Sequence, residues 1–167
     1  MLDPYLRPLI DRPLNIIGKR LVVLGISANS VTLIGFLFGL TSIALIILQA
    51  YNLAILFICL NRFFDGLDGA VARHSHLSDF GGFLDIVCDF IIYSGIIFAF
   101  GITNPSNLFY SAFLIFSFIG PITSFLAYAI IASKRKITSE KHGKKSFYYL
   151  GGICEGTETI IVLILFV

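Results

Sequence analysis

Apolar segments long enough to span a membrane restrict what this chain can fold into. Four such segments cover residues 30–49, 52–72, 80–101 and 107–133, and an incomplete fifth covers 151–167. A run of roughly 20 apolar residues crosses a hydrocarbon core of about 30 Å as a helix. Because lipid offers no hydrogen bonds, the backbone must satisfy its own polar groups, which a helix does. The sequence therefore predicts an all-α, polytopic transmembrane helix bundle.

The composition favours a single membrane domain with a short arm before it. Of 167 residues, 57% are hydrophobic and 13% are charged, which lies outside the range of ordinary soluble domains. Residues 1–28 are predicted to form an amphipathic arm that is broken into pieces by its prolines. This arm is either an interfacial anchor or a cover for a site at the cytoplasmic face. Residues 29–167 form the predicted transmembrane domain, and because their last segment turns apolar only from Thr159, we expect a chain cut short at its C-terminus.

The basic residues indicate how the helices are oriented. All twelve Lys and Arg residues precede the first segment, surround the turn between the second and third segments, or follow the fourth. The connections at 49–52 and 101–107 carry no charge. By the positive-inside rule, the N-terminus and the turn after the second segment face the cytoplasm. The sequence predicts an integral, multi-pass protein of a bacterial inner membrane.

Four aspartates interrupt the apolar segments on either side of that turn. Asp65 and Asp68 end the second segment, and Asp85 and Asp89 lie near the start of the third. One Asp at the centre of a membrane helix costs roughly 2.5–3.5 kcal/mol on insertion scales, so such groups usually mark function. Spacings of three and four residues place both side chains of a pair on one helix face. In an antiparallel helix pair, Asp65 is level with Asp89 and Asp68 with Asp85, which predicts a facing square.

A square of carboxylates predicts a site for divalent cations. Four carboxylates in a partly dehydrated cleft repel one another unless they are protonated or neutralised, and hard cations with oxygen ligands are the usual solution. Two ions about 3.5–4 Å apart fit the square and serve phosphoryl-type transfer. Mg²⁺ is favoured over Zn²⁺ because no Cys or His converges on the carboxylates. Arg73 is placed either to pair with a phosphate or to anchor the end of its helix.

The spacing of these residues resembles the signature of a known family. Residues 65–89 contain Asp-x-x-Asp-Gly-x-x-Ala-Arg, seven further residues, and Gly-x-x-x-Asp-x-x-x-Asp. This pattern resembles the signature of the CDP-alcohol phosphotransferase (CDP-alcohol phosphatidyltransferase) family, and all eight of its fixed residues are present. The gap before the second glycine is one residue shorter than usual. Gly81 is assigned as the family glycine, and the shorter gap leaves Gly82 as the alternative.

The resemblance implies a fold and a reaction. Members of the family have six membrane helices, of which this chain shows about five, and are commonly homodimers. They transfer a substituted phosphate group, here the phosphatidyl group, from a CDP-alcohol such as CDP-diacylglycerol to an acceptor hydroxyl and release CMP. The implied cofactor is two ions of Mg²⁺ or Mn²⁺. The implied partners are the CDP-alcohol, the acceptor alcohol and membrane lipids of phospholipid synthesis, with no nucleic acid.

The resemblance also implies a role for individual residues. Asp65, Asp68 and Asp85 are implied metal ligands, while Asp89 is implied to be both a ligand and the catalytic base. The implied contacts to the CDP moiety are Asn29, Thr32, Asp68, Gly69, Ala72 and Arg73. Asn29 and Thr32 are similar to the family's Asn-x-x-Thr at the start of its first helix, and the alternative is that they cap this helix.

Two further predictions leave alternatives open. Lys134, Arg135 and Lys136 follow the fourth segment and are either ligands for a phosphate on the acceptor or determinants of topology. A divalent-cation transporter or channel is the competing function, since it would need the same intramembrane carboxylates. That alternative does not explain the glycines beside the aspartates or the presence of Arg73 next to a cation site.

Overall fold

The computed structural model describes residues 3–135 and 156–166. Within these ranges the chain is almost entirely helical and contains no strand, which confirms the all-α prediction. The helices are α1 (Asp3–Val23), α2 (Ala28–Ile47), α3 (Tyr51–His74), α4 (Asp79–Thr103), α5 (Leu108–Lys134) and α6 (Gly156–Phe166), with a 3-10 turn at Pro105–Asn107.

Three helical stretches are long and apolar enough to cross a membrane. Among the described residues these are Ala28–Ile47, Asp79–Thr103 and Pro105–Ala132. They correspond to the first, third and fourth predicted segments and support an integral membrane protein. The second predicted segment forms α3, a helix of 24 residues that carries most of the charged side chains of the site described below.

Glycines allow α2 to pack closely on its two neighbours. A Cβ atom on Gly35 would lie 2.9 Å from Cβ of Phe64 in α3, and one on Gly39 would lie 2.5 Å from Cδ1 of Ile92 in α4. These distances are too short for a larger residue, so α2 touches both helices along its glycine face. The largest buried side chains of the core come from the same three helices: Ile46, Ile58, Ile92 and Ile96.

The N-terminal arm differs from the sequence prediction. It forms one continuous helix, Asp3–Val23, so the prediction that its prolines break it was wrong. Pro4 falls in the first turn, where a backbone N–H has no helical partner in any case. Packing on α3 supports the rest of the helix, because Leu14 is 4% exposed and a Cβ on Gly18 would lie 3.0 Å from the carbonyl carbon of Ala70.

Candidate active site

Two capped helix ends, at the starts of α2 and α4, lie near the predicted site. Ser27 caps α2 by accepting a hydrogen bond from the Ser30 N–H, and Ser78 caps α4 by accepting one from the Gly81 N–H. A side-chain acceptor at this position satisfies a backbone N–H that has no partner within the helix. Because Ser27 caps α2, the alternative that Asn29 or Thr32 caps this helix was wrong, and both side chains are available for other contacts.

Three of the four aspartates form a cluster. Asp65 and Asp68 from α3 and Asp85 from α4 each offer one carboxylate oxygen, and these oxygens lie within 4.8 Å of one another. Asp68 is buried and the other two are half-buried. The spacing of three residues in α3 therefore brings both of its carboxylates to the face that meets α4, as the helix geometry predicts.

Asp89 lines the same cleft but has other partners. All four aspartates border one cleft, together with Thr32, Gly35, Phe36, Asn61 and Cys88. Asp89 is not part of the three-carboxylate cluster, because its carboxylate faces the guanidinium of Arg62. Nη2 of Arg62 lies 2.6 Å from Oδ1 of Asp89, and Nη1 lies 3.2 Å from Oδ2. The predicted square thus consists of a cluster of three with the fourth carboxylate held beside it.

Thr32 connects α2 to this cluster. Its hydroxyl donates a hydrogen bond of 2.5 Å to Oδ2 of Asp68. Thr32 is 8% exposed and Asp68 is 5% exposed, so water has little access to either group. A hydrogen bond to an ionised group is stronger than one between neutral groups, and this one fixes the orientation of the Asp68 carboxylate.

The oxygens of the cluster suit a hard divalent cation. Mg²⁺, Mn²⁺ and Ca²⁺ prefer carboxylate oxygens, whereas Zn²⁺ prefers nitrogen and sulfur. Three carboxylate oxygens within 4.8 Å of one another can converge on one ion. Cys88 lines the cleft, but no His or Cys belongs to the donor set found among the described residues. The residues present therefore fit the cation that the sequence predicts.

The remaining predicted residues lie at neighbouring ends of α2, α3 and α4. A Cβ on Gly81 would lie 3.1 Å from Oδ1 of Asn29, so the start of α4 packs against the start of α2. Gly69 lies one turn before Arg73, and a Cβ there would be 3.5 Å from Nη1 of Arg73. Ala72 is half-buried beside them. These positions gather at the end of α3 that faces the turn.

Arg73 points toward the arm. Its Nη2 lies 3.3 Å from Oδ1 of Asn15 and 3.5 Å from Oδ1 of Asp11, both in α1. Arg73 and Asp11 are each about 40% exposed, so this ion pair is weak and leaves the guanidinium open to exchange partners. The arm therefore supports a residue that sequence analysis assigned to the CDP moiety.

The basic residues after α5 are only partly described. Lys134 and Arg135 are exposed at the end of α5, and Lys136 lies outside the described residues. Because α3, α4 and α5 are joined by short turns, the end of α5 lies on the same side of the bundle as the turn between α3 and α4. In the part of the chain that the structure describes, neither Lys134 nor Arg135 belongs to the carboxylate cluster or lines its cleft.

Three residues beside the aspartates were not predicted as part of the site: Asn61, which lines the cleft, and Arg62 and Tyr93, which contact Asp89. Arg62 was treated only as part of the positive charge near the turn, and Asn61 and Tyr93 were not considered. Arg62 lies midway along α3, and its side chain is only 16% exposed. An arginine in the middle of a membrane helix needs a charged or polar partner, so its position was the signal that could have identified it.

The chain is similar in sequence to known membrane proteins. A family model described as CDP-alcohol phosphatidyltransferase matches residues 25–166. Inner membrane protein YnjF of Escherichia coli is 42% identical over 165 residues, which is 98% of this chain and 78% of the relative. An archaetidylinositol phosphate synthase of Pyrococcus horikoshii is 43% identical over 94 residues, which is 56% of this chain and 50% of the relative. No solved structure gives a significant match.

Proposed function

We propose that this chain, which belongs to the CDP-alcohol phosphatidyltransferase family, transfers a phosphatidyl group from CDP-diacylglycerol or a similar CDP-alcohol to an acceptor hydroxyl and releases CMP. The match of the family model over residues 25–166 confirms the membership expected from the aspartate signature. The observation that carries the proposal is the cluster of Asp65, Asp68 and Asp85, with Asp89 in the same cleft.

The cluster is the proposed site of the metal cofactor. Asp65, Asp68 and Asp85 would hold Mg²⁺ or Mn²⁺ through their carboxylate oxygens. When bound, a divalent cation neutralises the pyrophosphate and the charge that develops on the transferred phosphoryl group. The second ion and the ligand role of Asp89 stay predictions.

Asp89 is the proposed base. The acceptor hydroxyl gives its proton to the Asp89 carboxylate while its oxygen attacks the phosphorus on the lipid side of the pyrophosphate. The bond between this phosphorus and the bridging oxygen breaks, and CMP leaves with that oxygen. A positioned base of this kind contributes about 10²–10⁴ to the rate. The Asp89 carboxylate lines the cleft without belonging to the cluster of three, which supports this role.

The other predicted residues are proposed to hold the CDP moiety. Arg73 pairs with the pyrophosphate, since a guanidinium matches two phosphate oxygens at once. Asn29, Thr32, Asp68, Gly69 and Ala72 line the nucleotide side, and Gly81 lets the starts of α2 and α4 approach each other. The contact between the Asn29 side chain and Gly81 supports this arrangement.

A phosphorylated alcohol is the proposed acceptor. Lys134 and Arg135 provide positive charge at the end of α5, on the side of the bundle that carries the turn between α3 and α4, and Lys136 follows them in the sequence; this basic run favours an acceptor with its own phosphate. The name of the Pyrococcus relative, archaetidylinositol phosphate synthase, agrees with such a product. We extend this class to the present chain, with inositol phosphate and glycerol 3-phosphate as the first acceptors to test.

The proposal also includes the domain bounds, the orientation of the chain in the membrane and its assembly. Residues 1–28 form the juxtamembrane arm and residues 29–167 the transmembrane domain. The N-terminus and the site face the cytoplasm of a bacterial cell, which the distribution of Lys and Arg supports. A homodimer is the proposed assembly.

A CMP-release assay tests the proposed reaction. The full-length protein is purified in detergent and incubated with CDP-diacylglycerol, Mg²⁺ or Mn²⁺, and a panel of alcohols that contains phosphorylated and unphosphorylated members. We expect CMP and a new phospholipid in equal amounts with one acceptor, and none in the presence of a chelator. Cation flux into liposomes without CMP release from any acceptor would instead support the transporter.

A further inference from the structure

Arg62 forms a two-point contact with Asp89. Its Nη2 lies 2.6 Å from Oδ1 and its Nη1 lies 3.2 Å from Oδ2 of the carboxylate. Two parallel N–H···O bonds of this kind fix the plane of a carboxylate as well as its position. The contact joins the middle of α3 to the first half of α4. Among the four aspartates of the cleft, Asp89 is the one that does not belong to the cluster.

The guanidinium is itself held in place from several directions. Oδ1 of Asn61 accepts hydrogen bonds from Nε and Nη2 of Arg62, at 3.0 and 2.7 Å. Nδ2 of Asn61 in turn donates to the carbonyl oxygen of Gly35, at 2.9 Å, which ties the group to α2. The guanidinium carbon also lies 5.1 Å from the centre of the Tyr93 ring, within the range of a cation–π contact. Arg62 is therefore a fixed group rather than a mobile counter-ion.

Tyr93 completes the arrangement around Asp89. Its hydroxyl accepts a hydrogen bond of 2.7 Å from Nη1 of Arg62 and donates one of 3.0 Å to Oδ2 of Asp89. Within the described part of the chain, Oδ2 thus accepts two hydrogen bonds and Oδ1 accepts one. Since a carboxylate oxygen has two lone pairs, Oδ1 is the atom with capacity left for a proton.

A role in membrane topology alone does not explain this arginine. Lysines and arginines that set topology lie near the ends of membrane helices, whereas Arg62 lies midway along α3. Its side chain is 16% exposed, and its Nη1 also lies 3.5 Å from Oδ2 of Asp65. The positive charge therefore lies between Asp89 and the edge of the carboxylate cluster.

We propose that Arg62 is a positioning residue for the transfer reaction, which holds the Asp89 carboxylate so that Oδ1 receives the proton of the acceptor hydroxyl. The inference rests on the proposed base role of Asp89. Asn61 and Tyr93 act with Arg62, Asn61 by fixing the guanidinium and Tyr93 by occupying Oδ2. None of the three touches the acceptor in this arrangement.

A double-mutant cycle tests the inference through activity. In the full-length protein, Arg62→Ala should lower kcat by roughly 10²-fold, the scale of a displaced base, with little change in the KM for CDP-diacylglycerol. The kcat of Arg62→Lys should lie between the values for wild type and Arg62→Ala, because an ammonium keeps the charge but cannot bind both oxygens. Combined with Asp89→Asn, the Arg62→Ala change should cost nothing further. Equal losses in both backgrounds would overturn the inference, since Arg62 would then act independently of Asp89.

Mn²⁺ binding distinguishes a positioning role of Arg62 from a general loss of structure. Arg62→Ala should keep Mn²⁺ binding, measured by electron paramagnetic resonance, at or above wild-type affinity, because a positive charge has left the neighbourhood of Asp65. Loss of Mn²⁺ binding would contradict positioning and indicate collapse of the site. Arg20→Ala, which removes an exposed arginine of α1, is the matched control and should leave kcat unchanged.

Infrared spectroscopy tests the contact without any turnover. The difference between the spectra of wild type and Asp89→Asn isolates the carboxylate stretch of Asp89. We expect this band to shift in Arg62→Lys and to keep its position in Arg20→Ala. A band that does not respond to Arg62 would overturn the inference even in an active enzyme. If the band shifts in Arg62→Lys but the wild-type protein releases no CMP with any acceptor, the proposed function fails while the Arg62–Asp89 contact stands.

Discussion

Thr32 shows how one hydroxyl can organise a buried carboxylate. The hydrogen bond of 2.5 Å to Oδ2 of Asp68 lies between two side chains that are both less than 10% exposed. A hydrogen bond to a charged group contributes about 1.5–3 kcal/mol, and an unsatisfied buried charge costs more. Thr32 therefore holds the Asp68 carboxylate in one orientation within the cluster.

Replacement of Thr32 by valine tests this role. Thr32→Val keeps the shape of the side chain but removes the donor, so the Asp68 carboxylate gains freedom to turn. We expect Mn²⁺ affinity to fall about tenfold to a hundredfold, the usual effect of losing a partner of a metal ligand. Titration of the protein with Mn²⁺ measures the affinity.

Thr41→Val is the control for that measurement. The Thr41 hydroxyl bonds only to the carbonyl of Leu37 in its own helix, and the residue is exposed. Its loss should leave Mn²⁺ affinity at the wild-type value. An equal fall in both variants would show that the Thr32 hydroxyl has no special relation to Asp68.

The spacing of the aspartates in the sequence predicted the cluster of three but not the partner of Asp89. The separation of three residues between Asp65 and Asp68 determines that they share a helix face, and the structure confirms that Asp85 meets them. The partner of Asp89 was not predictable in the same way. It depends on how α3 and α4 are rotated against each other, and that rotation follows from packing at positions such as Gly39 and Ile92.

At the scale of elements, the contact between α1 and α3 connects the arm to the site. Gly18 lies against the backbone of Ala70, and a Cβ there would be 3.0–3.1 Å from three atoms of Ala70 and Val71. The same face of α1 carries Asn15, which contacts Arg73. The three prolines of the arm predicted a broken helix. Packing on α3 outweighs the free-energy cost of these prolines, and helix propensity alone does not take contacts between helices into account.

A leucine at Gly18 should separate the two helices. Gly18→Leu places a side chain against the α3 backbone, and we expect a loss of about 1–3 kcal/mol in unfolding free energy, as for other overpacked contacts. The KM for the CDP-alcohol should rise, because Arg73 loses its contacts with the arm, while kcat should change little. Thermal unfolding in detergent and steady-state kinetics measure the two effects.

Gly120→Leu provides the comparison for the arm. Among the described residues, no atom beyond its chain neighbours and the nearby backbone of its own helix lies within 4 Å of the position that a Cβ would take on Gly120, so this change adds the same bulk without a clash. Unfolding temperature and KM should stay at the wild-type values. A Gly18→Leu protein that behaves like Gly120→Leu would show that the arm does not pack on α3 in the membrane.

At the scale of the whole molecule, the bundle separates its charged and uncharged ends. The turn between α3 and α4 and the end of α5 carry basic residues, whereas the connections around residues 49–52 and 104–107 carry none. Among the described residues, the approximate bounds of α2 to α5 followed from hydropathy alone. The depth and inclination of these helices do not follow from it, because they depend on contacts between helices.

Cysteine labelling tests the proposed orientation. In a protein whose own three cysteines are replaced, His76→Cys lies in the turn between α3 and α4, and Ser106→Cys lies at the opposite end of the bundle. A maleimide that does not cross membranes should label His76→Cys only in inverted inner-membrane vesicles. It should label Ser106→Cys only in vesicles of native orientation. The reverse pattern would place the site on the outer face.

We propose that one cleft both binds the metal-dependent donor and deprotonates the acceptor, and that Asp89 is the group that accepts the proton. The most direct measurement compares CMP release with Mn²⁺-dependent binding of CDP-diacylglycerol in wild type and Asp89→Asn. We expect Asp89→Asn to bind the donor nearly as wild type does and to lose about 10²–10⁴ in turnover. Near-normal turnover in Asp89→Asn would contradict the account.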